Sequence, residues 1–522
     1  MSPFLRKVRT ASGAVAVQIV EKQGRVNRVL KHLGSAHDEA KLAVLLEIGR
    51  KELRPGQLEF DFNSLDTGSC STPKVQHQSS ALLWAVLRGA YRAVGFDQAI
   101  DDSVFEQLVL ARIVEPASKS DTIRILGELG VEVAHRNTFN NCLQRCAGRD
   151  YRSRLAEACF THTSRSGDLS LVLYDVTTLY FEAECEDEDS GENQGLRKVD
   201  YSKERRVDPQ IVVGLLVDRS GFPLEIGCFE GNKAETKTLL PVIKGFQDRH
   251  GLDSFVVVAD AGMLSNENLK ALDAAGFKFI VGSRQTKAPH DLESHFYWNG
   301  DYFADGQIID TVTPRHANSK VNNKKLKVEP VWNPTMGTSW RAVWQYSAKR
   351  ARRDSVTLEA QRRRALDAVD GIKPARRPRF VKTTRSGCSF DEKAFERAQK
   401  LEGLKGYVTN LPATLMPATE VIDSYHELWH VEQSFRMSKT DLRARPIFHR
   451  QKDAIEAHLT IVMAALAVSR YLYQKTGITP KKLVRTLRPL REITISLPGG
   501  QQITAQPEIN PETQKILNKL GH

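Results

Sequence analysis

The period of the hydrophobic pattern changes from region to region along the 522-residue chain. FLRKVRT and AVAVQIV, separated by Ser12-Gly13 and followed by VNRVLKHLG, predict a small β unit. DEAKLAVLLEIGRKEL then shifts to helical spacing. From about 80 to 165 the pattern is helical throughout, in ALLWAVLRGAYRAVG, FEQLVLARIVE, DTIRILGELG and RNTFNNCLQRC. Short polar or Gly-containing turns divide these stretches, as in a compact helical domain with room for a helix-turn-helix. A purely structural bundle fits that pattern equally well.

Between 168 and 283 the pattern becomes strand-like. LVLYDVTTLYF, IVVGLLVD and FPLEIGCFEG are followed by helix TKTLLPVIKGFQDRHG, strand FVVVAD, helix NENLKALDAAG and strand FKFIVG. Three strands followed by helix–strand–helix–strand is the order of a ribonuclease H-like α/β fold. GQIIDTV, KLKVEPVW and WRAVWQYS predict a mostly β insertion ahead of a basic helical stretch, and GLKGYVTNL reads as a strand returning to the main sheet. A long helix (455–474), a helical piece at KKLVRTLRPL and a loose polar tail close the chain. The expected division is a β/α unit (1–55), a helical DNA-binding domain (56–165) and a ribonuclease H-like core in two parts (166–285 and 401–475). A β-rich insertion with a basic extension (286–400) interrupts that core, and a helical C-terminal segment with a tail (476–522) follows it.

Two aspartates draw the chemistry to this core. Asp175 closes LSLVLYD and Asp260 closes FVVVAD, each an apolar run of the buried-strand kind. Far downstream, Tyr425, Glu432 and Lys439 recur at heptad spacing in YHELWHVEQSFRMSK. On an ideal helix, positions seven apart differ by only about 20°, so the three share one edge, beside the apolar face of Leu428, Val431, Phe435 and Leu442. Three carboxylates brought together would repel one another. With Mg²⁺, or Mn²⁺ in its place, they become a hard-oxygen cage with open positions for water and phosphate. Asp175, Asp260 and Glu432 are therefore the candidate metal ligands, for two ions in a two-metal phosphodiester site.

Charge agrees with such a substrate. The net charge of +12 favours a polyanionic partner. Residues 345–385 carry thirteen Lys/Arg against four Asp/Glu, clustered as KRARR and RRR. Lys349, Arg350, Arg352 and Arg353 are candidate contacts to a phosphate backbone, with a solvated helix face as the alternative. ECEDEDSGE (184–192) is the one acidic run. The seven cysteines, an odd number, argue against a disulfide framework, and Cys142 and Cys146 read as buried thiols. LTIVMAALAVSRYLY, broken by Arg470, reads as a core helix rather than a membrane span. MSPFLRKVRT has no apolar signal region, so retention in the cytoplasm is expected.

Taken in order, these motifs resemble the DDE transposases of bacterial insertion sequences. The similar branch has a β-rich insertion before the glutamate and a Tyr-x2-Arg-x3-Glu-x6-Lys signature around it. Here the signature reads Tyr425, Leu428, Glu432 and Lys439, with Leu428 in place of the Arg and Arg436 close enough to substitute. YDVTTLYF, GLRKVDYSKERRVDPQIVVGLLVD, GFPLEIGCFEGNKAETKTLLP, VVVADAGM and RPIFHR extend the resemblance over roughly 165–475. It implies metal-dependent cleavage at transposon ends and attack of the freed 3′-hydroxyl on target DNA. Cutting two ends in concert implies a dimer on DNA. Tyr425, Lys439, Arg436 and Arg445 would then grip the DNA.

One rival motif overlaps the same segment. HELWH (426–430) matches the zinc-protease pattern, with His426 and His430 as ligands, Glu427 as base and Glu456 as a further ligand. Its histidines point away from the Glu432 edge, and Asp423 and Glu432 flank it with charge, so we read it as a chance match. A DNA-binding protein on the same scaffold without catalysis is the other alternative. No P-loop spacing is present, so no use of ATP is implied, and there is no G-x-S-x-G elbow.

Overall fold

The structure is a computed structural model. It describes residues 3–10, 13–23, 26–53, 74–133, 135–166, 169–182, 185–188, 195–200, 208–252, 254–263, 265–316, 321–335, 337–372, 378–384, 387–497 and 501–522. These form two compact units, 1–74 with 496–501, and 75–495 with 502–522.

In the first unit, β1 (Phe4–Arg9), β2 (Val15–Gln23) and β3 (Val26–Ala36) form an antiparallel meander, and α1 (Glu39–Leu53) packs on it. Val17 and Val20 of the central strand are fully buried. Ser12 of the expected first turn lies outside the described residues.

The second unit begins with β4 (Lys74–Ser79) and six helices: α2 (Ala81–Ala93), α3 (Phe96–Ala99), α4 (Ser103–Val114), α5 (Lys119–Glu128), α6 (Arg136–Gly148) and α7 (Tyr151–Ser166). Asp102 caps α4 by accepting from the amides of Val104 and Phe105. It also accepts from Arg145 (2.8 Å) and Tyr151 (2.9 Å), which ties α4 to α6 and α7. Cys142 and Cys146 are buried thiols on α6.

The sheet follows: β5 (Leu171–Tyr180), β6 (Gln210–Asp218), β7 (Pro223–Glu230), α8 (Leu239–His250), β8 (Val256–Ala259), α9 (Asn266–Ala274) and β9 (Lys278–Ser283). Next come α10 (Ala288–Asp291), α11 (Glu293–Asn299), β10 (Ile308–Pro314), β11 (Ser339–Tyr346), α12 (Ala348–Val369), β12 (Val381–Thr384), β13 (Gly387–Phe390), α13 (Glu392–Gln399) and β14 (Leu404–Thr409). The chain closes through α14 (Ala418–His426), α15 (Trp429–Arg436), α16 (Lys452–Thr476), α17 (Pro480–Leu487), β15 (Glu492–Ser496), β16 (Gln502–Ala505) and α18 (Pro511–Lys519). Eight strands form one mixed sheet in the order β10-β11-β14-β9-β8-β5-β6-β7. β5, β8 and β9 run parallel, and the remaining pairings are antiparallel. Along the chain, β5, β6, β7, α8, β8, α9 and β9 follow the element order expected from the sequence.

Three expectations change. Among its described residues, the segment 286–400 is not mostly β. Its strands β10 and β11 complete the mixed sheet against β14, KLKVEPVW forms no strand, and helices make up much of the remainder. The helical region 80–166 is not set apart either. α16 packs against α2, α4, α6 and α7 as well as β7, so the helices and one sheet face share a core. Finally, the described residues of the tail form regular elements: β15 and β16 pair in a sheet of order β16-β15-β4, and α18 buries Thr513 and Leu517. α16 is long and apolar enough to cross a membrane, but 89% of its apolar window is buried in the protein, as a core helix requires.

Candidate active site

β5 alternates between the two cores. Val172, Tyr174 and Val176 face α8 and α9, whereas Leu171, Leu173 and Leu179 face α14, α15 and α16. Asp175 therefore lies on the second face. It does not end its strand, because β5 runs on to Tyr180 against β6. What ends there is the parallel ladder to β8, whose last pair is Tyr174 with Ala259. Asp175 and Asp260 are each one residue past that pair, on neighbouring strands roughly 5 Å apart. The next strands continue the same level, since Ala259 pairs with Val281 and Gly282 pairs with Tyr407 of β14. One row thus crosses the sheet: Leu215, Asp175, Asp260, Gly282, Tyr407 and Val343.

Gly282 leaves a gap in this row that Tyr425 fills. A Cβ at Gly282 would come within 2.5 Å of the Tyr425 hydroxyl oxygen. From that gap the buried Tyr425 donates to Asp260 Oδ1 at 2.6 Å. Its ring packs edge-on to Tyr407 at 4.9 Å, and Lys405 Nζ stands 4.9 Å from the ring centroid. Burial pushes the Asp260 carboxyl up, but the Tyr425 hydroxyl, the amides of Ala261 and Gly262 and the Lys405 ammonium outweigh it. The carboxyl is held below the ordinary aspartate value. Burial lowers the Lys405 pKa and Arg350 lowers it further, while Asp260 opposes both. Burial, with the Asp260 charge beside it, pushes the Tyr425 phenol up, so it is a firm donor.

The helix expected to carry Tyr425, Glu432 and Lys439 is not continuous. α14 stops at His426 and α15 starts at Trp429. The junction is tightened by three-residue hydrogen bonds from Leu428 N to Tyr425 O, His430 N to Glu427 O, and Val431 N to Leu428 O. Lys439 lies in a π-helical turn, Met437–Asp441. Heptad spacing therefore does not fix one edge, because a 3₁₀ turn adds about 20° per residue to the 100° of the α-helix. Glu432 is exposed on α15, whose Val431 and Phe435 enter the core. Arg436 is exposed and Lys439 half-buried. Asp175, Asp260 and Glu432 do not converge: among the described residues no three His, Cys, Asp or Glu side chains form a group able to hold a metal. The two aspartates still fit an oxygen-loving cation, since Mg²⁺ takes one or two carboxylates and keeps several waters.

The rival motif is engaged otherwise. Both oxygens of Glu427 accept from Arg219, at 2.8 and 3.0 Å, which occupies the supposed general base. His426 and His430 stand on opposite sides of the helix break.

Three residues in or beside the row escaped the sequence reading. Lys405 had a signal, as the one charge in the strand LKGYVT. Tyr407 had none. Glu235 Oε2 stands 3.2 Å from where a Cβ on Gly262 would be, beside the turn after Asp260, and GNKAETKT gave no spacing to mark it. Of the basic cluster, Arg350 is half-buried and acts on Lys405 and Tyr407, while Lys349, Arg352 and Arg353 are exposed. Ser347 caps this helix. Lys373, Arg376, Arg377 and Arg385 lie outside the described residues, as do residues 201–207 of the GLRKVDYSKERRVD segment and most of the acidic run. Arg445 sits over the Tyr180 ring at 5.4 Å.

Residues 167–468 match the family model described as "Transposase DDE domain". The chain resembles a piggyBac transposase synaptic complex with hairpin DNA at 9% identity and TM-score 0.38, covering 78% of this chain and 79% of that one. It also resembles a Mos1 transposase paired-end complex with the left transposon end, at 13% identity and TM-score 0.16, over 47% of this chain and 67% of that one. These likenesses are distant. No curated protein matches the chain.

Proposed function

The chain belongs to the transposase DDE domain family, and from that premise we propose that it is an insertion-sequence transposase whose phosphodiester chemistry takes place at the Asp175–Asp260 edge. The observation that carries this reading is the in-register placement of both aspartates on one sheet face, with Tyr425 fixing the second. Asp175 and Asp260 would hold Mg²⁺, with Mn²⁺ able to replace it, and a two-ion site is the form we expect. When bound, such ions neutralise the scissile phosphate and acidify the attacking water or 3′-hydroxyl.

The residues of the chain have separate tasks in this reading. Tyr425 and the amides after Asp260 keep that carboxylate ionised and aimed. Lys405 and Arg350 add positive charge beside it for the phosphate backbone. Glu432 is proposed as the third carboxylate, reaching the pair once DNA is engaged, because catalytic contacts in a free enzyme are commonly looser than in its complex. Glu235 is the competing candidate, favoured by its position against the Asp260–Gly262 turn. Lys439 and Arg436 remain proposed contacts to the transposon end, whereas Tyr425, buried against Asp260, is reassigned from DNA grip to carboxylate positioning. The protein would bind terminal inverted repeats, act as a dimer on DNA and join the 3′-hydroxyl end to target DNA.

A Mg²⁺-dependent cleavage assay on duplexes bearing the element's own ends tests the reading. Wild-type cutting that Asp175→Asn and Asp260→Asn each abolish, with DNA binding retained, is the expected result. Cleavage surviving either change removes the proposal.

A further inference from the structure

One sizeable cleft of the second unit is lined by none of the three candidate carboxylates. A cleft of about 620 Å³ opens between the α4–α5 junction, α6 and the segment that follows Lys439. Arg112, Lys119, Arg136, Arg443 and Arg445 line it, against a single acid, Glu115. That acid is already committed, at 2.8 Å to Arg488 and 2.8 Å to Arg124. Arg112 donates to the carbonyls of Leu442 and Arg443, and Lys119 to the Asn140 side chain. Among the described residues no carboxylate pairs with Arg112, Lys119, Arg136 or Arg443.

These four cations therefore have no carboxylate partner among the described residues, and neighbouring groups register their charge. Burial lowers the His449 imidazole to about 4, with Lys119 and Arg112 adding to the effect. Burial lowers His458 as well, again helped by Arg112. Burial and Arg136 lower Lys119. A folded protein keeps like charges crowded in a concave site at a cost to its own stability, and an anion in the cleft relieves that cost. Ser120, in the first turn of α5, is an exposed residue of the same wall.

The cleft also has a fixed relation to the sheet edge. Ile447 pairs in parallel with Phe181, and its amide donates to Tyr180 O at 3.1 Å, so the lining segment extends the row of strands beside β5. Tyr180 is five residues along β5 from Asp175, a span of about 17 Å at the usual strand rise. Along duplex DNA, that distance is roughly five base pairs.

We propose that this cleft is a second, sequence-independent seat for the DNA phosphate backbone, which grips the strand roughly five base pairs from the phosphate being cut. The inference rests on the transposase reading but concerns different residues. It predicts two opposite effects of one change. Ser120→Glu places a carboxylate among the cations, at a helix N-terminus that favours it. The variant should unfold at a higher temperature than wild type and bind a 30-base-pair duplex of arbitrary sequence more weakly.

Lys119→Gln/Arg136→Gln/Arg443→Gln should flatten the slope of log affinity against log salt by about 2.7 units, at ~0.9 per contact. At 0.15 M salt that is roughly a hundredfold loss of affinity. An unchanged slope in a variant with the wild-type unfolding temperature overturns the cleft proposal and leaves the transposase reading intact. Competition by inorganic phosphate alone, with no slope change for duplex, assigns the cleft to a small anion and likewise overturns it. Absence of any duplex binding by the wild-type protein instead overturns the transposase reading, and the cleft proposal with it.

Discussion

The sheet edge and the helical segment above it hold their functional groups by different means. At the edge, the backbone ladder sets Asp175 level with Asp260, so their relation follows from strand register and does not depend on side-chain packing. Above it, Tyr425 is placed by a missing side chain at Gly282 and a hydrogen bond, and Glu432 is placed by neither. The tightened turn between α14 and α15 means that seven residues of spacing no longer fix an angle. Ladder-held groups tolerate little movement, whereas helix-held groups can be rearranged by a bound partner. The sharpest tests compare the two regions directly.

The largest effect belongs to the ladder. Asp175→Asn and Asp260→Asn should each lower Mg²⁺-dependent end cleavage by ~10³-fold or more, the scale of several kcal/mol of transition-state stabilisation. Binding of the same DNA, measured by gel shift, should stay within a few-fold of wild type.

The third carboxylate comes next, and here the regions compete. Glu432→Gln should cost about as much as either aspartate, and Glu235→Gln less than about tenfold. The reverse ranking would move the third acid from the helix to the turn beside Asp260.

Tyr425→Phe should have an intermediate effect of known sign. The Tyr425 hydroxyl helps hold the Asp260 carboxyl below its ordinary value, against burial. Its removal should raise that pKa, so the acid limb of the cleavage pH profile should move to higher pH. A profile that falls in amplitude without moving would place Tyr425 on the DNA instead.

A smaller effect is expected from the basic helix. Gln at Lys349, Arg352 and Arg353 should flatten the salt slope of binding by up to about 2.7 units without altering the pH profile. Arg350→Gln should change both, because it faces Lys405.

Asp291 belongs to neither region and should leave cleavage unchanged. Burial raises its carboxyl to about 7, so the folded state prefers it protonated. Its stabilising contribution is full below about pH 4 and is lost as pH rises through about 7. Asp291→Asn should remove that decline in urea unfolding, a change of up to a few kcal/mol.

The strands of the core were legible because buried strands write continuous apolar runs, and the acids that interrupt them stand out. LSLVLYD and FVVVAD marked both aspartates for that reason. KLKVEPVW has β-like alternation yet forms no strand, since alternation alone does not supply a pairing edge. Tyr425 stood out from its spacing and Lys405 had a signal as a lone charge in LKGYVT, but their contact was not legible, because it joins residues 20 apart on separate elements.

By itself, the sequence determined the order of strands and helices from β5 to β9, the position of each aspartate along its strand, the basic helix and the family, all of which depend on local periodicity or short motifs. Tertiary structure alone decided that β10 and β11 belong to the main sheet, and that the helices 80–166 share its core through α16. It also decided that the Tyr425 hydroxyl meets Asp260, and that five distant cations surround one cleft. These relations join groups far apart in the chain, and the free energy that selects them comes from burial and pairing between elements, which no local window of sequence contains.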